Sequence, residues 1–528
     1  MSADPLEATT IPQLVEAAAV TYGSRVAIED GAVRLSFAAL GAETRRAARG
    51  FLAAGVAHGD RVAIWAPNQW EWIVAATGLH AVGAVLVPLN TRFKGREAGY
   101  VLRKSHARVL VSVGEFLGTR YVESLRDEAL PELTRIVLLR GSADDPRAQS
   151  WSEFLAAGIG VSDEQLAERA SRVAPGDLSD ILFTSGTTGA PKGVMTTHAQ
   201  NLRAFAVWSD GVGLRAGDRY LAVNPFFHSF GYKAGWLACL LRGATILPHA
   251  VFDVAAVFAR IARERISVLP GPPSLYQSIL AHPECASSDL SSLRLAVTGA
   301  AAVPVELVHR MRDVLGFETV LTAYGLTECC GLVSLCRPED DAETIATTSG
   351  RAIPGIEVRC IDDKGVEVPR GEPGEVVVRG YNVMQGYFED PEETAKTIDA
   401  DGWLHTGDVA VMDERGYLRI TDRIKDLYIY SGFNCYPAEI ENLMYGSGLF
   451  AQVAVVGVPD ERMGEVGVAF AVPAPGKGFT PDDVIAWCRA NMANYKVPRR
   501  VVIVDALPVN ASGKVLKFEL RERASRSA

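Results

Sequence analysis

Apolar residues are distributed along the chain in two alternating patterns. Runs at 61–67, 84–90, 107–113, 135–141, 179–185, 219–225, 244–250, 266–272 and 293–300 are short and rich in Val, Ile and Leu, as strands buried on both faces are. Amphipathic stretches such as 37–55 lie between them. This alternation predicts an α/β fold whose large N-terminal domain is built on mixed, substantially parallel sheets. Beyond Gly350 the pattern shifts to short strands at 356–365, 374–380 and 416–421, separated by Gly and Pro turns, which predicts a β-rich subdomain. A second change follows the charged stretch Arg419–Asp426. There a helical run at 438–447, strand runs at 451–460 and 466–476, a helix over 481–493 and a strand at 501–508 predict a small α+β domain with its own core. The expected division is 1–424 and 425–528. The basic tail 521–528 is expected to fray.

Trp72–Leu89 is 18 residues without formal charge, the length at which a membrane span begins. Gly78, His80, Gly83 and Pro88 interrupt it and basic flanks are missing. It therefore predicts a buried helix, a turn at Gly83 and a buried strand, with no membrane span. The first ten residues carry neither a basic region nor an apolar core, so no secretory signal is expected. Eight cysteines show no CxxC pair and no zinc-type spacing with histidine. Reduced, mostly buried thiols in a cytoplasmic protein are the expectation.

The 528 residues carry 53 Lys+Arg against 63 Asp+Glu, a net charge of −10, and 48% are hydrophobic. That composition excludes a disordered chain, and the acidic balance argues against nucleic-acid binding. An anionic ligand must instead be held by a local set of donors.

One run supplies such a set. Phe183-Thr184-Ser185-Gly186-Thr187-Thr188-Gly189-Ala190-Pro191-Lys192-Gly193 follows a strand-like segment. Its glycines permit close backbone approach, its hydroxyls add donors, and successive N–H groups with Lys192 can form an anion nest. The chemistry suits a polyphosphate. It is not a Walker A loop, because Pro191 precedes the lysine and Gly193 follows it. A purely structural turn is the plainer alternative.

Seven further runs follow in order: Pro225–Gly231, Val297–Ala301, Tyr324–Glu328, Gly402–Asp408, Asp422–Asp426, Gly432–Glu439 and Asn510–Lys514. With the loop, they resemble the adenylate-forming superfamily of acyl-CoA synthetases, nonribosomal-peptide adenylation domains and firefly-type luciferases, from about Ile11 to Leu520. The resemblance implies a two-step ligase. A carboxylate attacks the α-phosphorus of ATP to give acyl-AMP and pyrophosphate, and the CoA thiol then displaces AMP. Both steps build anionic charge, which fixed donors and cations stabilise.

The same resemblance implies the site residues. Thr184, Ser185, Gly186, Thr187, Thr188, Gly189 and Lys192 hold the phosphates. Glu328, with Thr184, ligates Mg²⁺, and Thr327 contacts the α-phosphate. Tyr324, Gly325 and the Gly299-Ala300-Ala301 turn enclose adenine. Asp408 accepts from the ribose hydroxyls, and Arg423 binds beside it. Lys514 bridges carboxylate and α-phosphate. Lys425 is the hinge about which the small domain turns as a mobile lid, bringing Ser431, Gly432 and Phe433 to the thioester step. Many relatives have Gly where this chain has Ser431, which is less at ease at positive φ. His228 gates an acyl pocket lined by Phe230, Gly231, Tyr232, Lys233 and Val297. Lys233 either meets a polar substituent of the acid or snorkels to solvent.

The runs near the acyl site look most like an actinobacterial steroid-degradation synthetase, which activates an indane-dione propanoate. Medium- or long-chain fatty acids and aromatic acids are the alternatives. A carrier-protein thiol in place of CoA, a luciferase-like oxygenase and a non-catalytic nucleotide-binding regulator are weaker readings. A homodimer through the large domain stays open. For Lys514, the expected outcome of Lys514→Ala is a loss of acyl-AMP formation by ~10²-fold or more, with thioester formation from supplied acyl-AMP kept. Separate assays of the two half-reactions check it, and equal loss in both would reject the role.

Overall fold

The protein is described by a computed structural model covering residues 4–526 except 185–190, 300–302, 424–425, 431–432, 461–462, 493 and 511–514, with the backbone alone described at 422–423 and 433–434. The continuous apolar runs pair into an eight-stranded sheet. Its order is Gly386–Tyr387, Lys192–Thr197, Leu178–Thr184, Val85–Pro88, Arg61–Trp65, Val109–Ser112, Arg135–Leu138 and Ala148–Ser150. Pairing is parallel from Leu178–Thr184 through to Ala148–Ser150. At the other edge it is antiparallel.

The uncharged run of Trp72–Leu89 is core. Helix Trp70–Ala81 is buried along its whole length after Trp70. Gly83 turns the chain at φ 75°, and Val85–Pro88 is fully buried sheet. The helix lies so close to helix Phe37–Ala53 that a Cβ on Gly78 would come within 2.6 Å of the Ala47 Cβ. Among the described residues no helix is long and apolar enough to cross a membrane.

A second sheet joins Val33–Ser36, Val26–Asp30, Thr245–Pro248 and Arg219–Ala222. Val268 bridges Tyr220 and Leu295, and so connects these strands to Leu295–Gly299, Thr319–Tyr324, Ser334–Leu335 and Arg351–Ala352. The run 266–272, expected to be a strand, contributes two isolated bridges at Val268, and its Leu269 and Gly271 N–H groups donate to the Leu295 and Val297 carbonyls at 3.1 Å each. Pro270 and Pro272 lack the N–H that a ladder needs.

The predicted β-rich subdomain is an antiparallel sheet of Ile356–Ile361, Pro373–Gly380, Leu404–Met412 and Leu418–Arg423. In the small C-terminal domain, Phe450–Asp460 pairs with Gly464–Pro473, flanked by Tyr428–Tyr430, Phe433–Cys435 and Arg500–Ile503. Alternate residues of the long strand serve opposite faces. Val453 and Val455 pack with Ile440, Met444, Val484 and Cys488, whereas Ala454 and Val456 pack with Phe470, Leu507, Leu520 and Ala524. That second layer corrects the expectation of a frayed tail. Lys517–Arg526 is a helix, and Leu520 and Ala524, one turn apart, are buried at 0% and 1% exposure, so apolar burial holds it down.

Three histidines of the large domain are buried, His80, His198 and His249, and two of them face each other. His80 and His198 are fully buried, ring edge to ring face at 5.3 Å, and the His198 Nδ1 accepts the Ile11 N–H at 3.3 Å. Burial lowers both to about 3 from an ordinary 6.5. Below pH 6.5 the unfolded chain therefore binds protons that the folded chain refuses, so stability is complete above 6.5 and falls as pH drops toward 3. The expected outcome is a urea midpoint that declines between pH 6.5 and about 4.5, before carboxylates titrate. His80→Leu should lessen that slope, leaving the share of His198 and His249, and an unchanged slope would exclude His80 as a source.

Candidate active site

The loop run is the mouth of a hairpin. Strands Leu178–Thr184 and Lys192–Thr197 are antiparallel, with Thr184 opposite Lys192, so both ends of the loop are held in one register. Residues 185–190, with the predicted Ser185, Gly186, Thr187, Thr188 and Gly189, lie outside the described residues.

From Lys192 a line of contacts leads across the site. Its ammonium pairs with the Glu393 carboxylate and lies 5.1 Å from the centre of the Tyr387 ring. The Tyr387 hydroxyl donates to Glu328 Oε1 at 3.0 Å. Glu328 occupies the short 3₁₀ turn Thr327–Cys329, and its carbonyl accepts the Met384 N–H at 2.8 Å. Four residues earlier, Tyr324 ends its strand and donates its hydroxyl to Asp408 Oδ2 at 2.6 Å. Burial, and then the Asp408 charge, push the Tyr324 phenol well above its ordinary value, so it remains a donor.

Asp408 is 4% exposed and set by its own strand. The Asp408 N–H donates to Thr406 Oγ1 at 3.1 Å, and the Thr406 hydroxyl donates to the Val376 carbonyl at 2.7 Å. Glu375 holds the preceding turn by accepting the Gly407 N–H at 3.1 Å and meeting His405 Nδ1 at 3.0 Å. Gly407 sits at φ 68°, where a side chain would be strained. The backbone of Arg423 lies directly opposite Asp408. Gly299 ends its strand opposite Ala323, and a Cβ there would lie 2.7 Å from the Ala323 carbonyl oxygen. Gly325 is tighter still, since a Cβ there would lie 2.2 Å from the Gly331 carbonyl oxygen.

Around His228 the chain is pinned by Asn68. Its amide donates to the Ala222 and Asn224 carbonyls at 2.9 Å each, and its carbonyl accepts the Phe226 N–H at 2.8 Å. His228 caps the turn that follows, accepting the Phe230 N–H on Nδ1 at 3.2 Å. His228 and Phe230 are half-buried, whereas Gly231, Tyr232 and Val297 are buried. Tyr232 stacks on Trp236 at 4.8 Å.

Lys233 departs from expectation. It does not snorkel: its side chain has 0% exposure and its ammonium lies 3.2 Å from Asp180 Oδ1, itself at 0%. The ammonium also donates to Thr196 Oγ1 at 3.1 Å. Thr196 and Ser179 donate to the two Asp180 oxygens at 2.7 and 2.8 Å, and Asn201 adds a bond to Oδ2 at 2.6 Å. A buried cation of this kind requires a buried partner. Asp180 and Thr196 are on the loop hairpin and Lys233 is on the π-helical segment Tyr232–Leu237. The pair therefore ties the His228 region to the loop.

Ala300, Ala301, Lys425, Ser431, Gly432 and Lys514 lie outside the described residues, as do the side chains of Arg423 and Phe433. Sequence reasoning misses Asp180, Asn68, Tyr387 and Glu393. The one local signal is Pro391-Glu392-Glu393-Thr394, which reads as a helix start. Among the described residues no group of three or more His, Cys, Asp or Glu could hold a metal. The donor set still fits Mg²⁺, which takes one or two carboxylates and fills its shell with phosphate oxygens and water. Glu328 is half-buried, with Oε1 fixed by Tyr387.

Comparison with known proteins places these features in a family. The profile of the AMP-binding enzyme matches residues 15–388, and that of the AMP-binding enzyme C-terminal domain matches residues 439–514. The 7a-methyl-1,5-dioxo-octahydro-1H-inden-4-yl propanoyl:CoA ligase of Rhodococcus jostii (strain RHA1) is 51% identical over 97% of this chain and 98% of its own length. The ligase of the same name from Mycobacterium tuberculosis is 53% identical over 90% of this chain and 91% of its own. Among solved structures, the anthranilate CoA ligase AuaEII in complex with anthranoyl-AMP aligns with a TM-score of 0.89 and 27% identity, covering 100% of this chain and 99% of that one.

The buried pair gives a stability prediction. Lys233→Met strands the Asp180 charge and should cost about 3–5 kcal/mol in chemical denaturation. Joining it with Asp180→Leu should recover part of that loss. No recovery in the double variant would mean that the pair is not the source.

Proposed function

Since the chain belongs to the AMP-binding enzyme family and is an adenylate-forming CoA ligase, we propose that it activates a ring-bearing propanoate in two steps at the site built around Lys192, Glu328, Tyr324 and Asp408. One observation carries the assignment of these roles. Residues from four separate stretches meet in two sets of contacts, Lys192 to Tyr387 to Glu328 and Tyr324 to Asp408, which the four-residue step from Tyr324 to Glu328 joins along the chain.

In the first step an oxygen of the substrate carboxylate bonds to the α-phosphorus of ATP, and the bond to pyrophosphate breaks. Lys192 and the loop it closes meet the departing charge. Thr327 donates to the α-phosphate, and Lys514 bridges carboxylate and phosphate from the small domain. Glu328 and Thr184 hold Mg²⁺, which when bound supplies neutralising charge to the phosphate oxygens. Asp408 accepts from the vicinal ribose hydroxyls, and Tyr324, held by its bond to Asp408, presents its ring to adenine against the Gly299 backbone. Arg423 lies on the ribose side.

In the second step the CoA sulfur bonds to the acyl carbon, AMP leaves, and the thiol proton passes to solvent. Lys425 is the pivot between domains 1–424 and 425–528. Turning there withdraws Lys514 and brings Ser431, Gly432 and Phe433 to the thioester site. His228 gates the acyl side, held in place by the turn it caps.

The substrate assignment rests on the relatives at 51% and 53% identity, both named for a bicyclic dioxo-indenyl propanoate. That acid, a fragment of steroid degradation, is the preferred substrate. The eight free cysteines, seven of them buried, suit the reducing cytoplasm. A panel of acids assayed by ATP–pyrophosphate exchange and then by CoA-dependent AMP release tests the reading. The expected order is the bicyclic propanoate first, with C6–C16 fatty acids and aromatic acids at least about tenfold lower in kcat/KM, since a lost pocket contact is worth this much. Activity confined to straight-chain acids would remove the ring-bearing substrate.

A further inference from the structure

Glu393 has no part in either half-reaction, yet it occupies the lysine to which phosphate binding is assigned. It lies in the first turn of helix Pro391–Thr397. One carboxylate oxygen pairs with Lys192 and the other with Lys396 at 2.7 Å. The helix is fixed to the Tyr387 strand, because the Tyr387 N–H donates to Thr394 Oγ1 at 2.9 Å and the Glu393 N–H to Asp390 Oδ1 at 3.1 Å. The carboxylate is thus held beside the lysine by an element that the site already contains.

We propose that Glu393 is a resident counter-ion for Lys192, which ATP must displace on binding and which takes the lysine back as pyrophosphate leaves. It is a positioning residue, and the proposal rests on the assignment of Lys192 to the phosphates. Two features support exchange over permanent pairing. Lys192 and Glu393 are partly exposed, at 27% and 31%, and ion pairs open to water are weak enough to be given up. The ammonium also keeps the Tyr387 ring beside it, so it stays near the site when the carboxylate lets go. The cost of the arrangement is a negative charge opposing an incoming triphosphate. Its return is faster loss of a tightly held dianionic or trianionic product.

Glu393→Gln removes the charge and keeps the shape. The expected result is a KM for ATP and an inhibition constant for pyrophosphate that fall by the same factor, up to about fivefold. The KM for the acid should not move, and Glu393→Asp should restore values near those of the unsubstituted enzyme. A structural role alone would lower kcat or shift all three constants together. Unchanged or weakened ATP and pyrophosphate binding in Glu393→Gln overturns the proposal. An unsubstituted enzyme without acid-dependent exchange would overturn the ligase reading, and this proposal with it.

Discussion

Asp180 carries a carboxylate with no water contact, and much of the site follows from compensating that charge. Four groups converge on it: the Lys233 ammonium, the hydroxyls of Ser179 and Thr196, and the Asn201 amide. They come from both strands of the loop hairpin, from helix His198–Gly211 and from the π-helical segment after His228. A half-satisfied buried charge is worse than an apolar core, so these elements are held to one relative placement. The mouth of the hairpin, where Lys192 stands, and the turn that carries His228 are thereby set with respect to each other.

The other half of the site is assembled by β-pairing across subdomains. Gly386–Tyr387 adds to the edge of the eight-stranded sheet beside Lys192–Thr197, which carries Tyr387 from the β-rich region to the lysine and to Glu328. Tyr324 and Asp408 end up in hydrogen-bond contact although one lies in the second sheet and the other in the antiparallel subdomain. An acidic protein of net charge −10 cannot draw a polyphosphate by its overall field. The donors and the cation have to be concentrated where these two assemblies meet.

What could be read beforehand follows from where each interaction is encoded. Strands buried on both faces announce themselves as continuous apolar runs, and the loop and its companion motifs are local in sequence. The run 266–272 pairs with both neighbouring strands but is cut down to bridges at Val268, since Pro270 and Pro272 bring no ladder donor, and the frayed tail fails because Leu520 and Ala524 find a face only in the folded domain. Lys233, Tyr387 and Glu393 are decided by partners far away in the chain. A lysine next to an apolar run looks the same whether it meets solvent, substrate or a buried aspartate, until the hairpin is folded beside it.

Lys233–Asp180 and Lys192–Glu393 are the same pair of charges in opposite surroundings. The first is enclosed, at 0% exposure on both sides, and the second is open at 27% and 31%. Low local dielectric makes an enclosed pair costly to separate, because each partner alone would be an uncompensated buried charge. Water screens the open pair and can solvate either partner when it parts. Burial thus makes one pair costly to part and leaves the other open to the exchange proposed for it. On the proposed reaction, a site that binds a polyphosphate and then releases pyrophosphate would use both: a fixed frame for the hairpin, and at its mouth a cation open to a change of partners.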